Sequence, residues 1–98
     1  MSVDEQLNLM DGLRLPPISS QEEKDPVVQV EFLDGQSGHA WYVLEGSREA
    51  GDYRFYGFDV GKNLPRRRYF RFSELVGQNA SIDIRPRRCR WSQIHWAK

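Results

Sequence analysis

From Val27 onward the chain is a run of short, apolar, strand-like stretches, and none of the intervals between them can hold a crossover helix. Parallel strands need a connection of a dozen or more residues, usually a helix. Strands joined by a few residues must instead pair antiparallel with their neighbours. This restriction argues for an antiparallel, meander-like sheet over a βαβ fold.

The stretches can be read one by one. Val27–Leu33 alternates, with Val28, Val30 and Phe32 on one face and Gln29 and Glu31 on the other. Asp34-Gly35 and Gly38 supply turn chemistry. His39–Glu45 is apolar on both faces, as expected of a central strand or one covered by the N-terminal segment. Gly46–Gly51 reads as the next turn. Asp52–Val60 is a third strand, with Tyr53 and Phe55 opposite Tyr56, Phe58 and Val60. Gly57 within it signals a bulge or a close backbone approach. Gly61–Arg68, containing Pro65, reads as a connection to the short strand Tyr69–Phe72, where Phe70 and Phe72 point inward and Tyr69 and Arg71 outward. Ser73–Val76 predicts one helical turn with Ser73 as its cap and Gly77 as its stop. Ser81–Arg85 is a fifth strand burying Ile82 and Ile84, broken or edged by Pro86. Arg87–Lys98 alternates bases with Cys89, Trp91, Ile94 and Trp96, and is either a last strand or a packed tail. No internal repeat is present.

Before the strands, Val3, Leu7 and Met10 recur at helical spacing and Leu9 and Leu13 lie four apart, predicting a helix over about Asp4–Leu13. Leu15-Pro16-Pro17 ends it, and Ser19–Asp25 is a polar, acidic loop. The expected fold is therefore α+β. It is a mostly antiparallel sheet of four to six strands, with a short N-terminal helix and a helical turn near 73–76. Residues 1–98 form one domain, with 1–26 a loosely packed helix plus linker.

Charge is divided along the chain. Residues 1–60 carry twelve acids and four bases, a net −8, while residues 61–98 carry ten bases and two acids, a net +8. The formal total of zero hides this split. Eight of the ten bases are arginine: Arg66, Arg67, Arg68, Arg71, Arg85, Arg87, Arg88 and Arg90. Guanidinium forks bind phosphate in a bidentate way and stack on bases. With Tyr69 among them, they form the aromatic–cationic pattern used on single strands. The competing reading pairs these arginines with the acidic half inside the molecule. The acidic clusters Glu22, Glu23, Asp25 and Glu45, Glu49, Asp52 are read as solvated loops, or as a surface imitating a phosphate backbone.

Catalytic chemistry has little to start from. Cys89 and His95 sit six apart without a third orienting group in view, and alternation places Cys89 with Trp91 in a structural role. One cysteine and two dispersed histidines lack zinc spacing. Gly57-x-x-x-Gly61 matches neither a P-loop nor a dinucleotide fingerprint. No metal or cofactor is expected. A single cysteine suits a reducing compartment. The N-terminus lacks the pattern of a secretory signal, and no apolar run reaches bilayer length, so the expected location is cytoplasmic.

Residues 15–76 also carry a resemblance. Leu15-Pro16, Asp25-Pro26 leading into Val27–Phe32, Trp41-Tyr42 followed by Glu45, Phe55 with Gly57, and Tyr69-Phe70 running into Ser73-Glu74-Leu75 occur in that order. This order resembles a family of small bacterial proteins, a domain of unknown function, carried on plasmids, integrative elements and phage-related islands. The resemblance implies a mobile-element setting and a small β-rich fold. It assigns no activity or catalytic residue, and the sequence departs from it after Gly77, where the arginine-rich tail and the Trp91/Trp96 pair begin.

Together these features point to a non-enzymatic binding protein that contacts nucleic acid or a nucleoprotein through Arg66, Arg67, Arg68, Tyr69, Arg71, Arg85, Arg87, Arg88 and Arg90. The alternative is a protein–protein inhibitor or adaptor, for instance against a host defence system, using an acidic or aromatic surface. A small enzyme is a third reading.

Overall fold

The computed structural model describes residues 3–19, 24–62, 65–76 and 82–94. Glu22, Glu23, Gly77, Ser81, His95 and Trp96, named above, lie outside the described residues. In chain order the elements are α1 (Val3–Leu13), β1 (Val27–Asp34), β2 (Ala40–Glu49), β3 (Asp52–Val60), β4 (Arg66–Arg71), α2 (Phe72–Val76) and β5 (Ile82–Arg90), followed by a single 3-10 turn, Trp91–Gln93. The five strands form one antiparallel sheet in the order β4-β3-β2-β1-β5. The fold is α+β, as the strand pattern predicts, and β2 is the central strand.

The meander holds for β1 to β4. β5 returns to the far side of β1 instead of continuing beside β4. Like charges directly opposite each other on paired strands are destabilising. A β4–β5 ladder would set one arginine-rich strand against another, whereas β1 offers β5 the apolar and acidic partners Val28, Val30 and Glu31. β5 also passes through Pro86 and continues to Arg90, so Arg87–Arg90 are strand residues. Proline is tolerated there because β5 is an edge.

Two features reset the phase of the central strands. The β2–β3 ladder shifts register between Val43 and Glu45, leaving Leu44 as the extra residue of a bulge. Gly57 sits opposite Val43, and a Cβ there would run into the carbonyl oxygen of Tyr42. The close approach signalled by Gly57 is therefore real, with the bulge on its partner strand. The β1–β5 ladder shifts between Val28 and Val30. Val28 packs with the second of two apolar clusters, apart from Val30 and Phe32, which corrects the single-face assignment of these three residues.

The turn expected over Gly46–Gly51 is shorter than its composition suggests. β2 continues to Glu49, and Ala50-Gly51 alone makes the hairpin, with φ of 48° and 78°. Two positive φ values suit a type I′ turn, whose twist matches the flanking strands. Gly46 stays within β2 because a Cβ there would lie 2.8 Å from Leu15 and 2.9 Å from Phe55. Similarly, Arg66–Arg68 belong to β4 instead of to a connection.

One face of the sheet packs Val30, Phe32, Val43, Tyr53, Phe55 and Phe70 under α1 and α2. Leu7 and Met10 are fully buried there, and Leu9 points outward. Asp11 anchors α1 by accepting from the Tyr53 hydroxyl and from Arg48. Beyond the start of the β1–β2 ladder, residues 16–19 run along β2. The Pro16 carbonyl accepts from the Gly46 N–H at 2.9 Å, and the Ser19 N–H donates to Glu45 at 2.9 Å. Ser73 is not the cap of α2. It lies inside the helix, and its N–H and hydroxyl both donate to the Asp52 carboxylate, at 3.1 and 2.7 Å. The other face of the sheet packs Val28, Ala40, Tyr42, Leu44, Phe58 and Val60 under Trp91 and Ile94.

Candidate nucleic-acid interface

The strand order separates the two arginine clusters. β4 carries Arg66, Arg67, Arg68, Tyr69 and Arg71 on one edge of the sheet; β5 carries Arg85, Arg87, Arg88 and Arg90 on the other. Four inter-strand spacings of about 4.8 Å put them roughly 19 Å apart. Charged edge strands resist edge-to-edge pairing with other chains, and this accounts for part of the arginine content without any ligand.

Along β4 the side chains divide by face. Arg66 and Arg68 pair in register with Asp59 and Gly57 on the α1 side. Arg67, Tyr69 and Arg71 pair with Phe58, Tyr56 and Arg54 on the opposite side. Arg68 is committed internally. Its Nη1 donates to Asp59 at 2.8 Å, its Nη2 to Glu74 at 3.1 Å and its Nε to the Tyr69 carbonyl at 3.2 Å. The buried Asp59 also receives His39, whose ring stacks on Trp41 with centroids 4.2 Å apart.

On the opposite side the arginines have looser partners. The Arg67 guanidinium lies 5.0 Å from the centroid of Phe58, and Phe58 stacks on Trp91 at 3.9 Å. The Arg54 guanidinium lies 4.3 Å from the centroid of Tyr69, and the Tyr56 ring is 4.9 Å away on the same residue. Tyr69 remains 47% exposed. Glu49 reaches between the two strands, 3.7 Å from Arg54 and 3.6 Å from Arg71, beyond hydrogen-bond range for both. Exposed pairs of this kind contribute about 0–1 kcal/mol.

The β5 arginines are mostly tied to the fold. Arg85 donates to Asp83 at 2.7 Å, and Arg90 donates to the Asp25 carbonyl at 2.9 Å. The Arg87 Nε stands 3.3 Å from Oε1 of Glu31, a buried acid whose Oε1 makes no hydrogen bond among the described residues. Burial, with the Glu31 charge and hydrogen bond beside it, pushes the Tyr42 hydroxyl up to about 12. Among the described residues, Arg66, Arg67 and Arg88 have no carboxylate within ion-pair distance.

The nine residues singled out by sequence thus do not converge on one surface. Arg67, Tyr69 and Arg71 come together, and the structure adds Arg54 and Glu49, which the division into acidic and basic halves hides. The signal for Arg54 is its outward phase in Asp52–Val60, opposite Phe55. Four of the acids are turned inward: Glu31, Asp34, Glu45 and Asp59 are buried. Asp25 accepts from the Ser92 N–H and hydroxyl. Cys89 is half-buried against the second apolar cluster. Among the described residues, no group of three or more His, Cys, Asp or Glu side chains is placed to hold a metal ion, and no helix is long and apolar enough to cross a membrane. Compared with family models, with curated proteins and with solved structures, the chain matches none.

Proposed function

We propose that the protein is a non-enzymatic binding protein that contacts nucleic acid, alone or within a nucleoprotein, and that the contact lies on the outer β3–β4 face. The observation that carries this reading is the half-exposed Tyr69 set between Arg67 and Arg71 on one face, with Arg54 stacked against its ring. Alternating aromatic and guanidinium groups offer both base stacking and phosphate pairing. The resemblance to proteins of plasmids and related elements suits a role of this kind in a bacterial cytoplasm. The β5 arginines are assigned mainly to holding the fold. An inhibitor or adaptor with an acidic surface has less support, because Glu45 of its acidic clusters is buried and the aromatics beneath α1 are covered.

Binding is tested by mobility shift with DNA and RNA at low salt. The protein should retard at least one of them, and affinity should fall as salt rises, since phosphate contacts release counterions. Arg67→Glu combined with Arg71→Glu should abolish the shift while leaving the circular dichroism spectrum unchanged. A wild-type protein that retards neither polymer at low salt excludes the reading.

A further inference from the structure

Glu49 occupies an unusual position for a surface carboxylate. It stands between guanidinium groups on two adjacent strands, yet reaches neither at hydrogen-bond distance. A carboxylate held this way marks where an anion is attracted and leaves the donors of both forks unsatisfied by it. A phosphate has more acceptor oxygens and can engage both forks at once. Next to this point stands Tyr69, braced by Arg54 and Tyr56 and still 47% exposed. Arg67 lies two residues away on the same face, so Arg67 and Arg71 are roughly 13 Å apart along β4 with the ring midway.

We infer that this face takes a single-stranded nucleic acid, with an unpaired base against Tyr69 and a phosphate in the place Glu49 holds between Arg54 and Arg71. The inference rests on the nucleic-acid reading above and narrows it. A duplex keeps its bases stacked inside and could offer only phosphates to this surface, leaving Tyr69 without a partner. Base–aromatic stacking is tolerant of sequence because every base has a π-face. Glu49 then acts as an internal competitor, which keeps the site neutralised until a polyanion displaces it.

The experiment compares a short oligothymidylate, an oligouridylate and a DNA duplex of equal length by fluorescence anisotropy across a salt series. The single strands should bind more tightly than the duplex. Three phosphate-contacting arginines give a slope of log K against log salt of about −2 on single strands. Tyr69→Ala should weaken binding about 5- to 150-fold with the slope unchanged, and Tyr69→Phe should restore most of it. Glu49→Gln should tighten binding about two- to tenfold. Each variant's fold is checked by its thermal transition. Duplex binding as tight as single-strand binding, an unaffected Tyr69→Ala, or a Glu49→Gln that binds no more tightly each overturns the inference while leaving the broader reading intact. Failure of every nucleic acid to bind at low salt removes both.

Discussion

Arg66 and Arg68 sit two residues apart on the same face of β4, and their surroundings assign them opposite roles. Arg68 ties β3, the β4 backbone and α2 together through Asp59, Tyr69 and Glu74. Removing it leaves Asp59, a buried carboxylate, without its guanidinium. Arg68→Gln should therefore lower stability by about 1–2 kcal/mol, read from the urea midpoint, and Arg66→Gln should stay within about 0.5 kcal/mol of wild type. The same contrast applies on the other edge. Arg87 supplies the counter-charge for buried Glu31, whereas Arg88 has no carboxylate partner among the described residues. Arg87→Ala should lose about 1–3 kcal/mol and Arg88→Ala very little. From sequence these four arginines are indistinguishable, because periodicity reports a face and says nothing of which acid lies across it.

The strands themselves were legible where alternation was clean. Asp52–Val60 has the predicted bounds, with Tyr53 and Phe55 on one face and Phe58 and Val60 on the other. Tyr69 between Arg67 and Arg71 was readable for the same reason. β2 was harder, because Gly46 and Ser47 look like turn residues but serve close packing and a hydrogen bond from the Ile18 N–H. Misplacing that turn hides the end of β2 that sets Glu49 opposite Asp52, near Arg54 and Arg71. The opposite-edge placement of β4 and β5 was illegible too, since alternation carries no information about strand order. At the true hairpin, Ala50 holds φ of 48° without the residue type that favours it. Ala50→Asn should stabilise the protein by about 0.5–1 kcal/mol, visible as a thermal midpoint raised by about 2–8 °C.

Across the whole molecule, titrating groups set limits to stability at both ends of the pH scale. Burial raises the Asp52 carboxyl, but the Ser73 hydroxyl, the N–H groups of Tyr53 and Ser73, and the Arg71 charge outweigh it and hold the group below its ordinary value. The Ser92 hydroxyl and N–H do the same for Asp25. A carboxyl depressed in the folded state stabilises the fold above its unfolded value of 3.8, and that contribution fades as pH falls through the folded value. Tyr53, like Tyr42, is pushed the other way, to about 12, by burial and then by a neighbouring acid, here Asp11. Such hydroxyls hold their proton in the fold after the unfolded chain has lost it, so stability falls as pH rises from about 10 toward 12. The thermal midpoint should therefore decline below about pH 4 and again above about pH 10. Asp52→Asn should lower it at pH 7 and flatten the acid decline.

The return of β5 to the outer side of β1 also orders events in time. Val27 meets Arg90 and Asp34 meets Ile82, so one neighbour of β1 leaves the ribosome only after the other four strands. Until then Val27–Leu33, an apolar strand rich in β-branched residues, has an unpaired edge, the kind of segment that recruits other chains. Pairings this distant in sequence are also slow to form. The arginines of β5 thus arrive as a late-fitting guard: translation stalled or truncated before residue 82 should release a chain that aggregates through β1, while the completed chain stays dispersed.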